Sequence, residues 1–190
     1  MLIAFLLLVA ALLLLGVLAP MLGRLAHVAV YGGALVLCSL LAGMILHYLL
    51  AGAANDPAVV LPVGLPWLSA HFRVDALSAW FLLVVDFGGA MAALFGLGYG
   101  RHDREPMRVL PFFPVFLAAM NLVMLADDAF VFLLSWETMS LSSWLLVLAN
   151  HRQPDNARAG LVYLVMAVFG TGCLLLAFGI MAGFEGAYGF

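Results

Sequence analysis

The sequence contains no lysine, and all seven of its basic residues are arginine. Charge of either sign is scarce, at 9% of 190 residues, against about a quarter in an ordinary soluble domain. A soluble fold of this length needs a polar shell, and these side chains cannot make one. That shortage excludes a soluble globular domain and points to a polytopic membrane protein. A net charge of -3 leaves no basic footprint for nucleic acid. There are only two cysteines, Cys38 and Cys173, both inside apolar runs. They offer neither metal-ligand spacing nor a disulfide framework, and read as small packing residues. A Gly-rich phosphate loop, a zinc helix, a nucleophile elbow and paired haem histidines are also missing. Nothing predicts covalent chemistry, and no cofactor or metal is expected in this chain. The N-terminal "MLIAFLLLVAALLLLGVLAP" has no positive n-region and no small-residue cleavage pattern, so it reads as a retained helix rather than a signal peptide.

What the chain does have is apolar length: 67% of its residues are hydrophobic. A spanning helix needs about 20 apolar residues. Six stretches qualify, at about 2–19, 25–50, 75–99, 110–126, 128–149 and 159–183. The predicted fold is all-α, a single membrane domain over 1–190. "GAANDPAVVLPVGLPWLSAHFR" reads as a proline-containing loop between the second and third helices, and "GRHDREPMR" as a charged loop after the third. The tail "FEGAYGF" resolves into no element.

Arginine placement gives an orientation. Arg24, Arg101, Arg104, Arg108, Arg152 and Arg158 fall in the loops after helices one, three and five, and the opposite loops carry only Arg73. The arginine-bearing loops are therefore expected inside and the N-terminus outside. Asp56, Asp127 and Asp128 then fall on the outer side. Asp75 is placed to cap helix three, and Asp127 or Asp128 to cap helix five. Pro111 and Pro114 fall in the first turns of helix four, where proline costs least. The junction between helices four and five is short enough to force an antiparallel hairpin.

Two carboxylates lie deep. Glu137 is about nine residues into helix five, roughly 14 Å at 1.5 Å per residue, and Asp86 is near mid-depth in helix three. An acid at a helix centre costs roughly 2.5–3.5 kcal/mol to insert, so such residues face protein or water and suggest function. At helical spacing, Glu137, Ser140 and Trp144 share one stripe, and Ser135, Thr138 and Ser142 share roughly the opposite one. Helix five is thus polar on two faces and is expected to have helices packed on both sides.

Burial favours the neutral form of a carboxylate and a nearby cation favours the charged form. A cation moving toward and away from Glu137 would therefore switch it between releasing and holding a proton. The bland reading is a structural ion pair, or a neutral acid bonded to serines. Asp86 has two readings, an interhelical bond beside the close approach that Gly88 and Gly89 allow, or a place in a proton path. Asn121 reads as interhelical glue or as lining for a hydrated path. His47, near the outer end of helix two, reads as a packed histidine or a relay. Gly179 and Gly183 form a GxxxG, read as packing.

The stretches "FRVDALSAWFLLVV", "RVLPFFPVFLAAMNLVMLADDAFVFLLSWETMSLSSWLLVLANHR" and "AGLVYLVMAVFGTGCLLLAFGIMAG" resemble the antiporter-like, proton-translocating membrane subunits of respiratory complex I, Mrp-type antiporters and group 4 hydrogenases. Within them the chain looks most like the hydrogenase-4 component B (formate hydrogenlyase subunit 3) branch. The resemblance runs from about residue 72 onward, with "SWETMSLSSW" its specific core. The first two helices match only as hydrophobic helices. It implies about fourteen helices in a whole member, in two inverted repeats. It also implies that Glu137 is the helix-five glutamate, pairing with a lysine on helix seven in proton transfer. This chain has neither that helix nor any lysine, so it is expected to be an N-terminal fragment of a longer protein.

The expected function is the N-terminal part of a proton-translocating subunit in a hydrogenase-4-like or complex I-like respiratory complex. The chain would serve an oxidoreductase without a redox centre of its own. Its expected partners are other membrane subunits, a peripheral redox arm, protons and the bilayer of the cell inner membrane. The alternatives are an Mrp-type cation/proton antiporter subunit and a structural module that moves no protons.

Overall fold

The computed structural model describes residues 1–52, 58–65, 68–100, 106–150 and 154–182. Arg101, Arg104, Arg152, Asp56, Gly183 and the tail, named above, lie outside them. Among the described residues there are six α-helices: α1 (Leu2–Leu18), α2 (Ala26–Leu50), α3 (Ala76–Tyr99), α4 (Phe112–Leu125), α5 (Ala129–Val147) and α6 (Pro154–Ala182). Together with short flanking turns, all six are long and apolar enough to cross a membrane. The polytopic membrane reading therefore stands.

The helix ends follow local chemistry. The Asp75 carboxylate accepts the Ser78 N–H at 2.6 Å, and the Ser78 hydroxyl accepts the Asp75 N–H at 2.9 Å, a reciprocal capping box. Of the two aspartates before α5, Asp128 is the cap, accepting the Val131 N–H at 2.7 Å. Gly52 follows α2 at φ 88, where the absence of a Cβ matters. α6 begins five residues before its expected start, at Pro154, a residue suited to a first helical turn. Arg158 therefore stands on α6 rather than in the preceding loop.

The loop expected before α3 contains a two-stranded antiparallel hairpin, β1 (Val59–Leu65) and β2 (Leu68–Phe72). Its ladder slips between Leu61 and Gly64, the stretch that holds Pro62, which has no N–H to donate. Pro62, one of the prolines that argued for a loop, sits at that irregularity, where a strand tolerates it.

α3 packs closely on α2, and α4 on α5; α1 lies against α2 and α4, and α6 against α5. On α1 and α3, which are apolar on nearly every face, a single stripe is buried. On α1 the stripe is Leu2, Phe5, Val9, Leu12 and Gly16; on α3 it is Ala79, Leu82, Asp86, Gly89, Ala93 and Gly96. Large apolar side chains such as Leu7, Leu14, Phe81, Phe95 and Ile180 point outward, as lipid-facing residues do. Lipid is as apolar as these side chains, so small residues that let backbones approach decide the contacts. A Cβ on Gly89 would lie 3.0 Å from Leu117 and 3.2 Å from the Cys38 sulfur. Gly88 faces open space. Of the two glycines beside Asp86, only Gly89 makes the close approach.

Candidate functional site

The two deep carboxylates stand in different surroundings. Asp86 lies ten residues into α3, in its buried stripe, with no exposed surface. Asn121 of α4, equally buried, donates its Nδ2 to Asp86 Oδ1 at 3.0 Å and to the Leu117 carbonyl at 3.0 Å. The second atom of each group, Asp86 Oδ2 and Asn121 Oδ1, is buried without a hydrogen-bond partner. Asn121 is thus the interhelical bond that the sequence allowed, and its partner is Asp86.

Glu137 lies eight residues into α5, about 12 Å along a helix of about 28 Å, near the middle of that helix. It is half-buried, with no hydrogen bond or ion pair to another described residue. Its stripe faces α6: the Trp144 indole donates to the Gly160 carbonyl at 3.0 Å. Ser140 joins Trp136, Met139 and, from α6, Tyr163, Met166, Ala167 and Gly170 around a recess of about 330 Å³. The opposite stripe lies toward α1 and α4. Thr138 and Ser142 line a second recess of about 520 Å³ with Gly16, Val17, Pro111 and Val115. Their hydroxyls are turned into α5 itself, Thr138 donating to Leu134 O at 2.8 Å and Ser142 to Thr138 O at 2.7 Å. Helix five does have neighbours on both sides, as its two polar stripes predict, but Thr138 and Ser142 of one stripe are satisfied within their own helix.

His47 is exposed on the last turn of α2. It is nine residues, about 14 Å, from Cys38, the α2 residue level with Asp86 and Gly89. The structure does not bring it to either carboxylate.

The sequence reading missed a cluster at the hairpin end of the bundle. The His71 N–H donates to Asp128 Oδ2 at 2.8 Å, and the His71 ring Nδ1 lies 3.4 Å from the same oxygen. Arg73 Nε pairs with Asp127 Oδ1 at 2.7 Å. Backbone bonds from Arg73 N to Leu125 O and from Asp127 N to His71 O, each 3.0 Å, complete the join. β2 is thereby fixed to the α4–α5 turn, and so to the start of the helix that carries Glu137. The adjacent "HFRVD" and "ADDAF" stretches carried the charges, but nothing local pairs them. At the other end, Arg108 donates to the Ala149 carbonyl at 3.2 Å, putting the α3–α4 connection beside the end of α5. Among the described residues, no group of three or more His, Cys, Asp or Glu side chains could hold a metal ion.

Residues 126–190, which include α5 and α6, match the family model described as NADH:quinone oxidoreductase/Mrp antiporter, TM. An uncharacterised protein of Mycobacterium tuberculosis is 35% identical over 136 residues, covering 69% of this chain and 21% of that protein. Hydrogenase-4 component B of Escherichia coli is 33% identical over 120 residues, covering 62% of this chain and 18% of that protein. A chain in the membrane-bound sulfane sulfur reductase (MBS), an archaeal respiratory membrane complex, superposes with a TM-score of 0.78 at 26% identity. That match covers 96% of this chain and 28% of the other, so it extends the likeness to α1 and α2. The chain spans about a fifth of the length of the curated relatives it matches. The resemblance drawn from the sequence is borne out: the chain is related to the antiporter-like membrane subunits of respiratory complexes.

Proposed function

We propose that this relative of the antiporter-like subunits works as part of a proton-translocating membrane subunit, in a hydrogenase-4-like or complex I-like respiratory assembly. Glu137 is its proton site. The observation that carries this reading is a half-buried carboxylate at the middle of α5, inside the stretch matched by the family model, with no ion-pair partner among the described residues. Such a group can hold a proton without breaking a structural bond. Ser140, on the same stripe and open to the α5–α6 recess, offers a hydroxyl for relay.

A cation approaching Glu137 would favour release of the proton and its withdrawal would favour uptake. The resemblance assigns that cation to a lysine on a following helix, and this chain's only cations are arginines. Redox energy would come from a peripheral arm and reach this chain through other membrane subunits. The assembly would lie in the cell inner membrane, with the N-terminus of this chain outside. The matched family description also covers Mrp antiporters, in which a proton site would exchange against a cation.

The test is Glu137→Gln in the intact complex, with proton translocation followed in proteoliposomes. Gln keeps the shape and removes the titratable proton, so translocation is expected to be lost while assembly is kept. Unchanged translocation at normal assembly would sink the claim.

A further inference from the structure

We infer that Asp86 is held as a neutral carboxylic acid, its proton on Oδ2 donated to Asn121 Oδ1, so that α3 and α4 are clamped by a two-point acid–amide pair rather than joined by a station for mobile protons.

The orientation of Asn121 is the first step. Its Nδ2 lies 3.0 Å from two oxygens, Asp86 Oδ1 and the Leu117 carbonyl. Both are acceptors, so the nitrogen belongs there, and turning the amide over would set Oδ1 against the Leu117 carbonyl. Asn121 Oδ1 is thereby fixed as an acceptor in need of a donor. Asp86 Oδ2 has no donor either. An ionised Asp86 would leave both oxygens buried and unanswered, the costly arrangement for polar groups away from water. One proton on Oδ2 turns that oxygen into a donor whose natural acceptor is Asn121 Oδ1.

The neighbours supply no alternative charge. α4 carries no Asp, Glu, Lys, Arg or His between Phe112 and Leu125, and α3 carries none besides Asp86. From α2 the titratable group beside Asp86 is Cys38, whose sulfur makes no hydrogen bond to Asp86 Oδ2. α1, from Leu2 to Leu18, has no titratable side chain. With no exposed surface on either Asp86 or Asn121, the proton is enclosed on every described side. The claim is independent of the role of Glu137, and its readouts involve no transport.

Infrared spectroscopy of the intact complex tests it. A protonated-carboxyl stretch that disappears in Asp86→Asn, and keeps its intensity from mildly acidic to mildly alkaline buffer, is expected. Asp86→Asn should also assemble and melt like the wild type, because a second amide presents the same acceptor and donor edge to Asn121. Asp86→Leu should lower the melting temperature by orphaning Asn121. Absence of the band, a band that titrates across that range, or an Asp86→Asn protein that fails to assemble would each overturn the proposal.

Discussion

Asp128 Oδ2 accepts the His71 backbone N–H at 2.8 Å, while its Oδ1 accepts the Val131 N–H at 2.7 Å. One buried carboxylate therefore both caps α5 and ties the β-hairpin to it. Asp128→Ala removes both bonds and leaves two N–H groups without their acceptor. The expected cost is about 1–3 kcal/mol, seen as a lower melting temperature of the intact protein. Asp128→Asn keeps an acceptor for one of the two and should fall between.

The crossing of α1 and α4 depends on Gly16. A Cβ there would lie 2.6 Å from the Pro111 carbonyl oxygen and 2.6 Å from Val115 Cγ2. The first obstacle is backbone and cannot rotate away, so Gly16→Ala should destabilise by about 1–3 kcal/mol. Gly88→Ala is the matched control. It meets open space on α3, and alanine favours a helix by up to about 1 kcal/mol over glycine. Thermal melting of the two variants should move in opposite directions.

Asp75 gives the stability a dependence on pH. The Ser78 backbone N–H, ahead of the nearby Arg73 charge, holds its carboxyl below the usual carboxylate range. A carboxylate whose folded value is depressed contributes stability that is complete above its unfolded value, about 4, and is lost as pH falls through the folded value. Asp75→Asn keeps a capping oxygen without the charge. Its melting temperature should therefore fall less than that of the wild type as acid is added below about pH 4. Parallel pH profiles would show that Asp75 does not contribute.

The α5–α6 contact rests partly on Trp144, whose indole donates to the Gly160 carbonyl at 3.0 Å. Trp144→Phe keeps most of the apolar bulk and removes that donor, for an expected loss of about 1 kcal/mol. Ser142→Ala should cost less. The Ser142 hydroxyl is spent on the Thr138 and Met139 carbonyls of its own helix, which keep their helical acceptor roles. Melting curves of the two variants would separate an interhelical bond from an intrahelical one.

Features governed by local chemistry were legible in the sequence. Six apolar runs set six helices, because a chain in lipid must satisfy its backbone within each segment. Asp75 and Asp128 set two helix starts, because a cap reaches only its own first turn. The places of Glu137 and Asp86 along their helices followed from counting residues at 1.5 Å each. Ser140 was placed beside Glu137 by helical spacing alone, and the "SWETMSLSSW" core carried the family resemblance.

Which groups meet depended on how the helices and the hairpin pack. Asp86 and Asn121 are 35 residues apart, and although each marks an inner face of its own helix, neither says which helix that face meets. In water an amphipathic pattern would have marked the rest of that face; in lipid, burial among side chains and exposure to acyl tails look alike in sequence. The choice fell to small residues such as Gly16 and Gly89, whose role appears only when the opposing backbone or side chain is in place. The join of His71 and Arg73 to Asp128 and Asp127 spans 57 and 54 residues, and it needed the hairpin that the prolines concealed.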